Sequence, residues 1–361
     1  MSDVYFLDYS KGGSILQGMR DLFTKSGLVG LIAPEKSVAL KMHMGELGNV
    51  TYIRPFFVRR VADLVKRAGG KPFVTDTTAL YPGGRGTPER YLATAAANGF
   101  TEASIGAPVV IADDTGEGVA VTIESPVNGC ELKEAKVAPR IYNADRLLVL
   151  SHAKGHGQAG FGGAMKNMGM GCVTKEGKAA QHRASVPVFD ASKCDACGQC
   201  VEGCPRKALS LIEGRIVRDM ALCLGCSSCL FACPMKAFSF PPGAGERLQV
   251  NIAHTAYAVL KNFKGRAGFI NFVQDVTPEC DCAAPAGRPL VQDVGILASW
   301  DPVAVDKASI DLIDKAPTVT GSTLTWRPDM LGKMHGTDSL VQLKTAEKLG
   351  LGSLAYKLIT I

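Results

Sequence analysis

The sequence predicts an α/β protein: a mixed-sheet domain with helices on both faces, interrupted by a small α+β insert. Three observations predict it. Short β-branched apolar runs alternate with stretches of helical period, as a layered α/β domain requires. That alternation breaks off near residue 186 and resumes near 246, giving segments 1–185, 186–245 and 246–361. Inside the break, "CDACGQCVEGCPRKALSL" from Cys194 and "CLGCSSCLFACPMKAFSF" from Cys223 superpose at a shift of 29 residues, taking eight of the chain's twelve cysteines.

Strands are expected at 4–8, 37–42, 71–75, 109–113, 146–151, 267–273 and 294–299, each an apolar, β-branched run bounded by turn residues. Helices are expected at 14–26, 54–68, 87–98, 255–263, 302–315 and 338–349. Asp301 caps the fifth, with Pro302 at its first position; Asp338 opens the last, and Gly350 or Gly352 stops it.

A chain of 361 residues with 46% apolar and 20% charged residues has material for a large core. Apolar runs such as "RLLVLSHA" are too short to span a bilayer. The amino-terminal "MSDVYFLDYSKGG" lacks the basic and apolar regions of an export signal, so a cytoplasmic location is expected and a membrane is not. Net charge is only +6, and its 40 basic residues are scattered rather than striped, which argues against nucleic acid as a partner. In a reducing compartment twelve cysteines point to metal or redox chemistry rather than disulfides.

CxxCxxCxxxCP is the spacing of two-cluster bacterial ferredoxins, whose fourth cysteine ligates the other cluster. The expectation is two 4Fe–4S clusters, one on Cys194, Cys197, Cys200 and Cys233, the other on Cys223, Cys226, Cys229 and Cys204. Paired zinc sites are the alternative, but zinc quartets more often come as two CxxC knuckles separated by a long loop. "IEGRIVRD" between the runs reads as a hairpin turning at Glu213 and Gly214, and "PPGAGE" closes the insert.

Five polar clusters follow predicted strands, at 41–46, 75–78, 151–157, 274–282 and 298–302. Ligands of open α/β sheets bind outside the carboxyl ends of the strands, so the five predict one shared pocket. Candidate acid/base or nucleophilic residues are His43, Lys154, His156, Lys166 and His182, with His152 as a further candidate ligand and His254 and His335 left structural. Candidate cofactor-binding residues are Lys41, Asp76, Gly162, Gly163 and Asp275. The glycines of "SHAKGHGQAGFGGAMKNMGMGC" are expected to bring backbone close to a ligand or another chain, with amide hydrogens free for an anion. The segment does not match a dinucleotide fingerprint. Arg85 sits in "YPGGRGTPER", read as a surface loop rather than a lid. Cys280 and Cys282 are expected as ligands of a third metal centre, completed by Cys172 or a histidine, or as reactive thiols; a bond between them is not expected at this spacing.

"KGHGQAGFGGAMKNMGMGCV" with Gln181 and His182, "NFVQDVTPECDC" and "DVGILASWDPVAVDKASIDLI" together resemble the iron–sulfur proteins grouped as domain of unknown function 362. The resemblance spans nearly the whole chain and implies a two-cluster insert in an α/β domain with a redox role. More remotely, the segment around Lys166 and His182 is similar to the catalytic region of nickel-pincer lactate racemases, which tether a pyridinium cofactor to a lysine and bind nickel partly through a histidine. Three functions are therefore open: an iron–sulfur electron-transfer protein or oxidoreductase, a racemase- or lyase-like enzyme with structural or sensory clusters, and a metal or cluster delivery scaffold. The expected partner is a redox protein or a small-molecule substrate, and a homodimer is left open.

Overall fold

Strand Arg146–His152 alternates between two cores: Leu147 and Val149 pack on one side, Leu148 and Leu150 on the other. A strand buried on both faces requires helices above and below it. The computed structural model describes residues 1–319 and 327–361, and within them this strand lies inside an eight-stranded sheet. Its order is Tyr356–Thr360, Ser2–Asp8, Gly295–Ser299, Ala267–Val273, Arg146–His152, Ser37–Lys41, Lys71–Asp76 and Val109–Ile111. Helices Ile15–Lys25 and Pro55–Arg67 cover one face through Leu22, Phe23, Val58 and Val61. Helices Ala164–Gly169, Ala244–Phe263, Pro302–Lys315 and Val341–Lys348 cover the other through Met165, Met168, Val259, Ala304 and Leu343. The chain is thus a mixed α/β fold, and among the described residues no helix is long and apolar enough to cross a membrane.

Strand direction corrects one expectation. Gly295–Ser299 runs antiparallel to both neighbours, while the remaining pairings of the sheet are parallel. Its exit, residues 298–302, therefore lies at the edge opposite the other four polar clusters. Asp301 there caps the following helix through Val303 and Ala304 and accepts from Ser2 at 2.7 Å. It has no part in a strand-end pocket.

Several elements differ from expectation: helices Ala164–Gly169 and Lys175–His182 were not marked, and the last helix starts at Val341 after Leu340 rather than at Asp338. The helix foreseen over 255–263 begins at Ala244, because the buried polar residues Gln249, Asn251 and His254 interrupt its apolar period. Each is satisfied instead by a distant partner: Asp338 O, Gln181 O and Val127 N. Strand Tyr356–Thr360 was not foreseen, because as an edge strand it is largely exposed and lacks an apolar run.

In the glycine-rich segment some glycines lie against the protein's own backbone, while Gly157, Gly163 and Gly171 line a cavity. A Cβ on Gly155 would overlap the Pro278 carbonyl, and one on Gly169 the Ile252 carbonyl. These glycines let the segment pass under helix Ala244–Phe263 and against the 274–282 turn.

The cysteine-rich insert repeats in three dimensions. Positive φ recurs at the same shift as the sequence: Ala196 with Gly225, Gly198 with Ser227, Lys207 with Lys236. Its strands interlock crosswise. Val188–Phe189, before the first run, pairs with Phe238–Ser239 after the second, while Arg215–Arg218, before the second, pairs with Leu209–Ile212 after the first. The matching bonds Asp190 N to Ala237 O and Asp219 N to Ala208 O are both 2.8 Å. The hairpin turn falls at Glu213 and Gly214, both at positive φ, and Cys200, Leu209 and Phe238 form a small core of the insert's own.

Candidate functional site

Parallel strands deliver their exits to one edge of the sheet, and a cavity of about 1020 Å³ opens there. Lys41, His43, Asp76, Lys154, His156, Gly163, Lys166, His182, Cys280 and Cys282 line it. Cys226, Ser227, Ser228 and Phe231 of the cysteine-rich insert close another side.

Lys41 and Asp76 end adjacent strands and pair at 2.9 Å, both almost fully buried. Asp76 also accepts from Tyr91 Oη, and Lys41 donates to Asn167. Their charges are met by each other and by the fold, while both side chains remain in the cavity lining. Asp275, contrary to expectation, pairs with Arg54 at 2.6 Å, outside the cavity lining.

Lys154 and Lys166 differ. Both line the cavity wall, Lys154 buried and Lys166 partly so, and among the described residues neither has a carboxylate within ion-pair distance. Among the described residues, Lys166 Nζ makes one hydrogen-bond contact, to Cys280 Sγ at 3.9 Å. Burial lowers the pKa of Lys154 and, reinforced by the Lys154 charge, draws Lys166 down to about 7. Gly162 makes room for both: a Cβ there would stand 3.1 Å from Lys154 Nζ and 3.3 Å from Lys166 Cδ. The amides beyond Gly163 are not free, contrary to expectation. Asp306 accepts from Ala164 N at 2.7 Å and Met165 N at 2.9 Å, and Asn271 donates to the same carboxylate at 2.7 Å. Asp306→Asn turns one acceptor into a donor facing these N–H groups and is expected to cost about 1–3 kcal/mol. An unchanged urea midpoint would contradict this account of the segment.

His43 and His156 are held as neutral donors. His43 Nδ1 accepts from Gly45 N at 3.0 Å; His156 Nδ1 accepts from Gln158 N at 3.3 Å and Ala159 N at 3.1 Å. A neutral ring accepting at Nδ1 carries its proton on Nε2. His43 Nε2 is buried without a partner. Burial, then nearby cations, holds His43 and His156 well below the usual range and takes His182 to about 4. His152 is structural: Asp281 Oδ1 at 2.7 Å and Gln274 O at 2.8 Å occupy its two nitrogens. Lysines and imidazole N–H groups without acceptors make the cavity receptive to an acceptor-rich anion.

Sequence reasoning missed Lys178 and misread Arg85. Lys178 donates to Thr77 Oγ1 and to Val173 O at 2.7 Å, and burial brings it down to about 8. It lies four residues before His182, a helical spacing that puts both on one side of helix Lys175–His182 and could have flagged it. Arg85 is buried rather than on a surface loop, pairing with Glu46 at 3.0 Å between the rings of Tyr81 and Tyr91.

Cys280 and Cys282 are joined as a disulfide with Cα atoms 5.3 Å apart, within the range such bonds need. This corrects the expectation that no bond joins them. A turn, which spacing alone does not reveal, folds the two side chains together. Cys172 is buried, and burial pushes its thiol up to about 11. Among the described residues no three His, Cys, Asp or Glu side chains are gathered tightly enough to hold a metal ion.

Fold and cavity define an α/β protein with a cationic pocket at the strand carboxyl ends, walled in part by a twofold-repeated cysteine-rich insert. The chain belongs to the family described as Domain of unknown function (DUF362), whose sequence model matches residues 38–311. The thylakoid-associated protein sll1697 of Synechocystis sp. (strain ATCC 27184 / PCC 6803 / Kazusa) is 28% identical over 176 residues, 48% of this chain and 50% of that protein. The chain thus spans about half the length of this curated relative. A crystal structure of a Thermotoga maritima protein superposes with TM-score 0.44 at 11% identity, over 83% of this chain and 59% of that one. The lactate racemase apoprotein from Thermoanaerobacterium thermosaccharolyticum superposes with TM-score 0.37 at 13% identity, over 76% and 51%.

Proposed function

We propose that this chain is an iron–sulfur protein carrying two 4Fe–4S clusters, passing electrons to or from a substrate, cofactor or partner at the strand-end cavity. The observation that carries the reading is the shared wall: Cys226, Ser227 and Phe231 line the same cavity as Lys154, Lys166, His43 and His156. The donor set fits such clusters, since thiolates ligate them and amide hydrogens tune their sulfurs. Amides approach three cysteines, Ala196 N to Cys194 Sγ at 3.4 Å, Ala208 N to Cys204 Sγ at 3.2 Å and Ala237 N to Cys233 Sγ at 3.3 Å.

Interlocked strands support the crosswise sets. Cys204 lines one small cavity with Cys223, Cys226 and Cys229. When bound, the clusters supply one-electron transfer. Lys154 and Lys166 attract and orient an anion, the His43 and His156 N–H groups donate to its oxygens, and the buried, apolar Leu248 limits water.

Anaerobic reconstitution is expected to load about eight irons per chain, as two cubanes require. Pairs of substitutions test the ligand sets. Cys233→Ser with Cys194→Ser strikes one cluster and leaves about four irons. Cys233→Ser with Cys223→Ser strikes both and leaves essentially none. The reverse result would overturn crosswise ligation, and iron near zero in the unaltered chain would overturn the reading itself.

One observation favours a second reading, a racemase- or lyase-like reaction without redox change. Lys166, drawn to about 7 by burial and Lys154, offers a free amine near neutral pH, the state of a basic or nucleophilic lysine. Mass spectrometry of native protein decides: a lysine-linked adduct or stoichiometric nickel supports it, iron and sulfide alone count against it.

A further inference from the structure

From the cavity wall we infer that Cys280 and Cys282 form a reversible dithiol–disulfide couple, a two-electron redox site whose Cys280 thiolate is received by Lys166. The inference goes beyond the proposed function and stands on the cavity alone, whether or not the insert carries iron.

Three features support it. Both cysteines line the cavity, Cys280 buried and Cys282 partly exposed, so a small reductant entering the cavity meets Cys282 as the more accessible of the two. Lys166 Nζ stands 3.9 Å from Cys280 Sγ with no carboxylate partner among the described residues. A cation beside a sulfur stabilises its thiolate. And the turn is held without the S–S bond: Glu46 N donates to Asp281 O at 2.9 Å, Ala283 N to Cys280 O at 2.8 Å, and Tyr81 Oη to Cys282 O at 3.1 Å, while Asp281 bonds His152. Opening the bond leaves both sulfurs in register to close again. A cross-link closing so short a loop restrains the unfolded chain little, so stability does not explain it.

The exchange balances with a small dithiol as reductant. Its thiolate attacks Cys282 Sγ, forming a mixed disulfide and releasing Cys280 as the thiolate facing Lys166. The second thiol of the reductant then closes onto its partner sulfur, releasing Cys282 as a thiol. The reductant leaves as a cyclic disulfide, and two electrons have moved to the protein. Other charged or titratable groups lining this cavity include Lys41, His43, Asp76, Tyr81, Arg85, His152, Lys154, His156, Lys178, His182, Glu279 and Asp281.

The test is native-state alkylation of the full chain with iodoacetamide, read on the peptide carrying both cysteines by mass spectrometry. Without reductant the peptide is expected unlabelled; after dithiothreitol under native conditions it is expected doubly labelled, and after removal of dithiothreitol and mild oxidation unlabelled again. Labelling before reduction, or reduction only in denaturant, overturns the inference. Cys282→Ser leaves Cys280 as a single thiol. Its alkylation rate is expected to titrate below the free-cysteine value of about 8.5, and Lys166→Met is expected to slow it about tenfold at pH 7. An inflection above the free value, or equal rates with and without Lys166, overturns the part given to Lys166.

Discussion

Asp76→Ala is expected to lower the unfolding free energy by about 3–5 kcal/mol, because it strands the Lys41 ammonium in a site from which water is excluded. Lys41 and Asp76 are each only a few per cent exposed, and the carboxylate serves both the ammonium at 2.9 Å and the Tyr91 hydroxyl. Urea denaturation measures the loss. Replacing both partners together, Lys41→Met with Asp76→Leu, is expected to recover most of it, since an apolar pair of similar volume leaves no charge to desolvate. A single substitution costing under about 1 kcal/mol would mean that the pair behaves like an exposed one.

Lys154→Met with Lys166→Met is expected to weaken binding of a small anion by about two to four decades, each charge-assisted bond being worth about 1.5–3 kcal/mol. Titration calorimetry with oxalate and with pyrophosphate measures this. Lys166, at about 7, also sets opposite pH trends. Anion affinity falls as pH rises through about 7, because the ammonium is lost. Folding stability rises between about 7 and the unfolded lysine value of about 10.4, because there the unfolded chain holds a proton that the folded chain does not. Lys166→Met is expected to flatten the fall in affinity and to remove the Lys166 share of the stability rise, while the shares of Lys154 and of Lys178, at about 8, remain. Affinity that is independent of pH in the unaltered chain would sink the assignment of Lys166 to the anion.

Sequence period and spacing determined a good deal. Alternating apolar runs marked the sheet strands other than the exposed Tyr356–Thr360 edge, since burial on two faces leaves a continuous apolar signature while an edge strand leaves none. The repeat of 29 residues marked the insert, because identical turns demand the same small or strained positions twice. Polar residues just after four strands marked the cavity, since parallel strands send their exits to one edge. Only the tertiary structure decided the rest. The reversed direction of Gly295–Ser299 removed Asp301 from the site, and direction is a property of pairing that a single strand does not encode. The same holds for charge: Lys41 and Lys154 look alike in sequence, yet one meets Asp76 and the other meets open cavity. Whether a buried cation is a strut or a receptor depends on what stands within about 4 Å of it, and that is settled by folding.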